Sequence, residues 1–246
     1  MILHAVTLVL GLFVVGIASG SSAHANDRAV KSVPVVELFT SQGCSSCPPA
    51  DKMLGDLAGR DDLIALSFNV DYWDYLGWRD TLARPEFSAR QRAYAAARGD
   101  GQVYTPQMVV NGSRHFVGGD RRALKRTLAA VARRQVAQPT VTLRKHQKLA
   151  QISIGRVEGW SGKATVWLAA IAPKVTTKIK RGENRGRKIA YHNVVRDMMP
   201  IGAWTGDELV MQFDPAMLMK SGAESCAIII QEGETGRILA AAWIDR

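Results

Sequence analysis

Short apolar runs alternate with segments of helical spacing at the start of the first half of the chain. Residues 33–39 and 63–70 are nearly continuous apolar runs, which is typical of strands buried on both faces of a sheet. After Cys47, apolar residues recur at three- and four-residue intervals until Gly59, which predicts a helix that begins at or just before the cysteines. The chain therefore begins as strand, helix, strand.

The alternation continues with a second helix, a hairpin and a third helix. Residues 85–98 begin with proline and are followed by a glycine, as helices often are. Asn111-Gly112 is a residue pair that tight hairpin turns prefer, and Asp120 is the expected N-cap of the last helix. This order predicts an α/β domain.

From Pro139 onward, β-rich runs separated by glycines replace the helical pattern. The runs cover residues 141–143, 150–154, 164–172, 188–195, 209–213, 227–231 and 238–244. Short strands with regular turns predict an antiparallel sandwich. The expected fold is an α/β domain over residues 26–138 followed by a mostly antiparallel β-sandwich domain over residues 139–246.

The N-terminus has the pattern of a secretory signal. Residues 2–17 are almost wholly apolar, and small residues and Ala23-His24-Ala25 follow them. We expect residues 1–25 to be a signal peptide, cleaved after Ala25, and the protein to be periplasmic or secreted. The segment before the apolar run has no Lys or Arg, so an uncleaved membrane anchor is the alternative.

The chain is basic, with 32 Lys and Arg, 22 Asp and Glu, and a net charge of +10. Anionic partners such as membrane head groups or acidic polymers would suit this charge, and a basic protein without such a partner is the other interpretation. Residues 174–188 contain seven basic residues and one acid, which predicts either a loop that binds an anion or a solvated hairpin. Basic and aromatic residues do not interleave, so nucleic acid is not an expected partner.

The chemistry is carried by Cys44-Ser45-Ser46-Cys47, since two cysteines at this spacing after a strand form thiol-disulfide redox centres. A helix N-terminus lowers a thiol pKa from about 8.5 into the range of about 3.5–7.5, so Cys44 is the expected nucleophile and Cys47 the less exposed resolving cysteine. Cys226 lies in an apolar run and is expected to be an inert core thiol.

The element order, with Cys-x-x-Cys after the first strand and Thr105-Pro106 before the third, resembles the thioredoxin fold over residues 33–138. In more detail, four segments resemble a bacterial family of exported thioredoxin-like proteins that has no assigned function. These segments are residues 37–51, 70–78, 103–112 and 181–184. The resemblance implies a thioredoxin-like domain and leaves the activity open.

The resemblance also implies a substrate-binding surface beside the cysteines. It makes Pro106 a cis proline and Thr105 the residue that hydrogen-bonds the backbone of the substrate. Trp73 and Trp78 lie in an aromatic segment that either walls the site or packs over the sheet.

Glu37, in the first apolar strand, resembles the buried acid that thioredoxins carry beneath their cysteines. We hypothesise that it accepts the proton of Cys47 during resolution, its pKa being raised by burial. The alternative is an acid at a strand edge that is paired with a nearby Lys or Arg.

The residues favour an exported thiol-disulfide oxidoreductase that acts on protein thiols or disulfides, together with a redox partner protein. A carrier of a soft metal such as Cu(I) and a binding module with a structural disulfide are the alternatives. The sequence has no phosphate loop, serine nucleophile elbow or zinc signature, so no cofactor and no metal site are predicted. A membrane would be contacted only through an uncleaved N-terminal segment.

Overall fold

The computed structural model describes residues 28–30, 32–133, 137–146, 148–214, 216 and 222–244. This part of the chain is a mixed α/β fold with a large, mostly antiparallel sheet and few helices. Its elements are β1 (Arg28–Val30), β2 (Val35–Thr40), α1 (Pro48–Ala58), β3 (Ile64–Asn69), a 3₁₀ turn (Asp74–Leu76), α2 (Pro85–Arg98), β4 (Gln107–Val110), β5 (Arg114–Val117), α3 (Arg121–Ala132), β6 (Val141–His146), β7 (Leu149–Ile154), β8 (Ala164–Lys178), β9 (Lys188–Trp204), β10 (Leu209–Phe213), β11 (Ser225–Glu232) and β12 (Ile238–Trp243).

The predicted strands and helices all occur, with ends that differ by a few residues in most cases. The largest differences are in β8 and β9, which are 15 and 17 residues long and form one long antiparallel hairpin. The predicted signal, residues 1–25, lies outside the described residues. None of the helices in the described segments is long and apolar enough to cross a membrane.

Strands from both halves of the sequence share one sheet of eight strands in the order β12-β11-β8-β9-β3-β2-β4-β5. The halves meet where β3 pairs in parallel with β9, through Ser67 and Val194. The prediction of separate sheets in two domains is wrong on this point, because local sequence patterns do not encode the pairing of β3 with β9. The division at residue 138 stays a prediction.

A second sheet, in the order β1-β6-β7-β10, lies against β8, β11 and β12 of the large sheet. One apolar cluster contains Ile152 and Ile154 of β7 together with Val166 of β8 and Ile228 of β11, all fully buried. Alternate residues of β7 are buried, because a strand directs successive side chains to opposite faces.

The helices cover both faces of the large sheet around β2. Val36 and Leu38 of β2 pack with α1 and α3, whereas Val35 and Phe39 pack with α2 on the opposite face. The side chain of Glu37 therefore belongs to the α2 face, because it alternates with its neighbours.

Candidate functional site

Cys44 and Cys47 form a disulfide between the end of β2 and the start of α1. Cys44 is 3 % exposed and Cys47 is fully buried, so Cys47 is the less exposed of the two, as predicted. Ser45 and Ser46 between them are exposed, and Ser46 Oγ lies 3.4 Å from Cys44 Sγ. Ser46 is thus placed to hydrogen-bond a sulfur anion at Cys44.

The start of α1 differs from the prediction. The helix begins at Pro48 with Cys47 as its N-cap residue, and Cys44 lies in the turn before it. The Cys47 N–H donates to the Cys44 carbonyl at 3.2 Å, which closes this turn. Pro48 and Pro49 fit the first helical turn because its N–H groups have no partners within the helix.

The loop between β8 and β9 holds the Cys-x-x-Cys turn from outside the first half of the chain. Asn184 is fully buried, and its Nδ2 donates to the carbonyls of Gln42 at 3.0 Å and Cys44 at 2.8 Å. The Ser45 N–H donates to Glu183 Oε2 at 3.3 Å. Residues 181–184 stand out as a motif in the sequence, but the sequence gives no sign of their contact with the cysteines.

Replacing Asn184 with alanine is expected to lower the free energy of unfolding by about 1–3 kcal/mol, since the Gln42 carbonyl loses its donor and the Cys44 carbonyl keeps only the Cys47 N–H. Urea denaturation of the oxidised protein measures this. Glu183→Gln is the matched control, because this exposed carboxylate serves one exposed N–H and its loss should cost under about 1 kcal/mol. An Asn184→Ala effect no larger than the control effect would contradict the assigned role of Asn184.

Both predicted tryptophans flank the turn. Trp73 Nε1 donates to Thr105 Oγ1 at 2.7 Å, and Trp78 Nε1 donates to Gln42 Oε1 at 2.8 Å. Tyr75 stacks on Trp73 and is 77 % exposed. The Thr105 hydroxyl accepts the bond from Trp73 and keeps its own O–H as a donor.

Pro106 lies close to the first turn of α1. The Thr105–Pro106 peptide bond is cis, which agrees with the resemblance to thioredoxins. A Cβ added to Gly118 would lie 2.9 Å from the Cβ atoms of both Ala50 and Pro106, so these three residues are in close contact. The structure thus brings Thr105, Pro106 and the tryptophans to the region of the disulfide.

Glu37 is not part of this group. It is fully buried and accepts a hydrogen bond from Arg90 Nε at 2.9 Å and another from the Tyr94 hydroxyl. Arg90 and Tyr94 belong to α2, on the face of the sheet opposite α1. The structure therefore shows the arginine partner of the alternative interpretation, but not its position at a strand edge, because β2 lies between β3 and β4 and Glu37 is fully buried. It does not bring Glu37 together with Cys47.

Asp51 is the buried acid on the cysteine side, and the sequence analysis missed it. It lies four residues after Cys47 on α1, a spacing that places two side chains on the same helix face. Thr40 Oγ1 donates to its Oδ1 at 2.7 Å, and its buried Oδ2 has no hydrogen-bond partner among the described residues. Burial raises the pKa of Asp51 to about 8, more than the Thr40 hydrogen bond lowers it, and the charge of Asp80 adds to the rise.

Asp80 and Tyr191 complete a buried polar cluster around Asp51. Asp80 Oδ2 accepts from the Gln42 N–H at 2.7 Å and from Asn69 Nδ2 at 2.9 Å, so it holds the loop before the cysteines. Tyr191, on β9, is buried with its hydroxyl unpartnered among the described residues. Burial raises the pKa of both side chains, and the charges of Asp51 and Asp80 raise that of Tyr191 further.

Met53 and Met108 follow the cysteines in the sequence, and both are buried in the apolar cluster under α1. Within the described ranges, no group of three or more His, Cys, Asp or Glu side chains is arranged to hold a metal ion. Cys226 lies buried in β11, in the apolar cluster between the two sheets.

The fold and the site define a mixed α/β protein with a buried Cys-x-x-Cys disulfide in front of a helix. The chain belongs to the DUF1223 family of proteins of unknown function, whose family model matches residues 35–231. No functionally curated protein matches it.

Two solved structures are similar to the chain. One is the crystal structure of a protein from Agrobacterium tumefaciens whose sequence is 35% identical to this chain. The two structures align with a TM-score of 0.75 over 88% of this chain and 96% of that one. HBP35 of Porphyromonas gingivalis has a TM-score of 0.59 over 87% of this chain and 75% of that one, and at 13% identity this likeness concerns the fold alone.

Proposed function

We propose that the protein is an exported thiol-disulfide oxidoreductase with a thioredoxin-like domain, in which Cys44 and Cys47 exchange with protein thiols or disulfides. The observation that carries this proposal is the Cys44–Cys47 disulfide at the start of α1, close to the cis Thr105–Pro106 bond. The order strand, helix, strand, helix, hairpin, helix from β2 to α3 supports the thioredoxin-like assignment. The β8–β9 loop supports a direct role of residues 139–246 at the site.

The reduced protein reacts in two steps. The Cys44 thiolate attacks a substrate disulfide, forms a mixed disulfide and releases one substrate thiolate. Cys47 then loses its proton and attacks Cys44 Sγ, which restores the Cys44–Cys47 disulfide and releases the second substrate thiolate. Two electrons pass from the protein to the substrate, and the same steps in reverse oxidise a substrate dithiol.

Asp51 takes the role that the sequence analysis gave to Glu37. Its carboxylate accepts the Cys47 proton during resolution and returns it when the disulfide is reduced. A pKa of about 8 is close to the ordinary thiol value of about 8.5, so this proton transfer is nearly balanced. The proton moves within a buried site and does not have to reach bulk water.

Single serine variants of the two cysteines test the proposal. In an assay in which the protein catalyses the reduction of insulin by dithiothreitol, Cys44→Ser is expected to abolish the catalysis, because the attacking sulfur is gone. Cys47→Ser is expected to accumulate a mixed disulfide between Cys44 and the substrate, visible by mass spectrometry, because the resolving sulfur is gone. Equal insulin reduction by wild type and both variants would contradict the proposal.

The reduction potential of the Cys44–Cys47 pair distinguishes a catalytic disulfide from a structural one. Titration against glutathione with thiol trapping should give a value of about −120 to −270 mV for a catalytic pair. A value below about −300 mV would support the binding-module alternative instead.

A further inference from the structure

The turn between β8 and β9 and the adjoining ends of these two strands carry a dense group of positive charges, which we call the basic hairpin. It consists of the exposed residues Lys174, Lys178, Lys180, Arg181, Arg185, Arg187 and Lys188. None of the seven forms an ion pair with another residue of the described segments. Their charges are thus available to a partner.

The arrangement of these charges destabilises the folded protein when no partner is bound. Lys178 and Lys188 lie directly opposite each other on neighbouring strands, where like charges repel. A hairpin with no partner would gain stability from an acid at either position. The repulsion is removed when an anion lies between the two side chains.

The basic hairpin is also fixed beside the disulfide. Asn184, in the turn between these basic residues, donates to the Cys44 carbonyl. Glu183, the single acid of residues 174–188, accepts from the Ser45 N–H. A groove of about 620 Å³ runs from Pro48 along α1 to Arg187 and Lys188. A polypeptide whose cysteine reacts with Cys44 would place its neighbouring residues along these positive charges.

We propose that the substrates of this site are polypeptides whose reactive cysteines are flanked by Asp and Glu, and that the basic hairpin binds those carboxylates. This inference rests on the proposed function and names its substrate class. The exchange transfers two electrons from the Cys44–Cys47 dithiol to the disulfide of the acidic polypeptide, which becomes a dithiol. Complementary charge raises the rate of association, and salt weakens the effect.

Three synthetic peptides of equal length test the inference. Each contains one disulfide, flanked on both sides by Glu, by Gln or by Lys, and is reduced by the reduced protein at about 10 mM and about 1 M salt. At low salt we expect the second-order rate constant for reduction of the Glu peptide to exceed that for the Lys peptide by at least about tenfold. At high salt the ratio should approach one, because the Debye length falls from about 30 Å to about 3 Å.

A charge-matched pair of variants locates the effect. The triple variant Arg181→Gln, Arg185→Gln, Arg187→Gln should reduce the Glu-to-Lys ratio severalfold. The control Arg122→Gln, Lys125→Gln, Arg126→Gln removes the same charge from exposed positions of α3 and should keep the ratio. Because the readout is a ratio of rates, partial loss of folded protein does not alter it.

The outcomes distinguish the two proposals. Similar rates with all three peptides, or equal loss of the ratio in both variants, would overturn the acidic substrate class and leave the oxidoreductase proposal in place. Failure of the protein both to reduce these disulfides and to oxidise the corresponding dithiols would overturn the oxidoreductase proposal itself.

Discussion

Replacing Glu37 with glutamine is expected to lower the free energy of unfolding by about 3–5 kcal/mol. The Arg90 side chain is only 8 % exposed, and Glu37 is its only carboxylate partner within the described segments. Glutamine keeps the shape of Glu37 but removes its charge, which leaves a buried guanidinium without a counter-ion. Urea denaturation followed by circular dichroism gives the loss in unfolding free energy.

Asp62→Asn is the control for this loss. It removes the acid of the Arg60–Asp62 pair, whose side chains are 45 % and 68 % exposed, and pairs of this kind contribute about 1 kcal/mol or less. A Glu37→Gln effect as small as that of Asp62→Asn would contradict the structural role of the Glu37–Arg90 pair. The rate of thiol-disulfide exchange per folded molecule of Glu37→Gln completes the test. A large fall in that rate would support a catalytic role of Glu37.

The effect of Glu37 extends to the second half of the chain. Arg90 Nη2 also donates to Gln231 Oε1 at 2.9 Å, and Gln231 Nε2 donates to the Tyr94 hydroxyl at 2.9 Å. Gln231 lies on β11, so this buried network joins β2, α2 and β11. Its loss is expected to weaken both halves in one unfolding transition.

Local patterns predicted the elements of this fold well, because hydrophobic period and turn chemistry act over a few residues. Asn111 and Gly112 both have positive φ values, of 46° and 65°, as a tight hairpin turn between β4 and β5 requires. Asp120 caps α3 by accepting from the Ala123 N–H, as predicted. The joining of β9 to β3 was not predicted, because it unites residues more than a hundred positions apart in the sequence.

The candidate site shows the same limit. The cysteine pair is visible in the sequence, whereas the role of Glu37 depended on which face of β2 it occupies, and a shift of one residue changes that face. Asp51 resembles an ordinary first-turn acid stabilised by the helix dipole. Its burial follows from the packing of β9 over α1, which the sequence pattern does not reveal.

Replacing Asp51 with asparagine is expected to slow the resolution step by about a hundredfold, a contribution typical of a positioned proton acceptor. Cys47 then has to lose its proton to water, although it stays buried. The rate of decay of the mixed disulfide, measured by quenched flow across a range of pH, should also lose the ionisation near pH 8 that Asp51 supplies in the wild-type protein. Asp56→Asn is the control, because Asp56 is an exposed residue of the same helix, and the hydrogen bond from Arg121 lowers its pKa.

The same substitution is expected to change how stability depends on pH. Burial raises the pKa of Asp51 from 3.8 to about 8, so between these values the folded protein binds a proton that the unfolded chain has lost. The contribution of Asp51 to stability is therefore present below about pH 4 and is lost as the pH rises through about 8. An asparagine side chain does not titrate, so Asp51→Asn should gain stability relative to wild type from pH 4 to pH 9, by at least the roughly 1.4 kcal/mol that one pKa unit represents. Parallel pH profiles of stability for wild type and Asp51→Asn would contradict the raised pKa of Asp51, on which its role as proton acceptor depends.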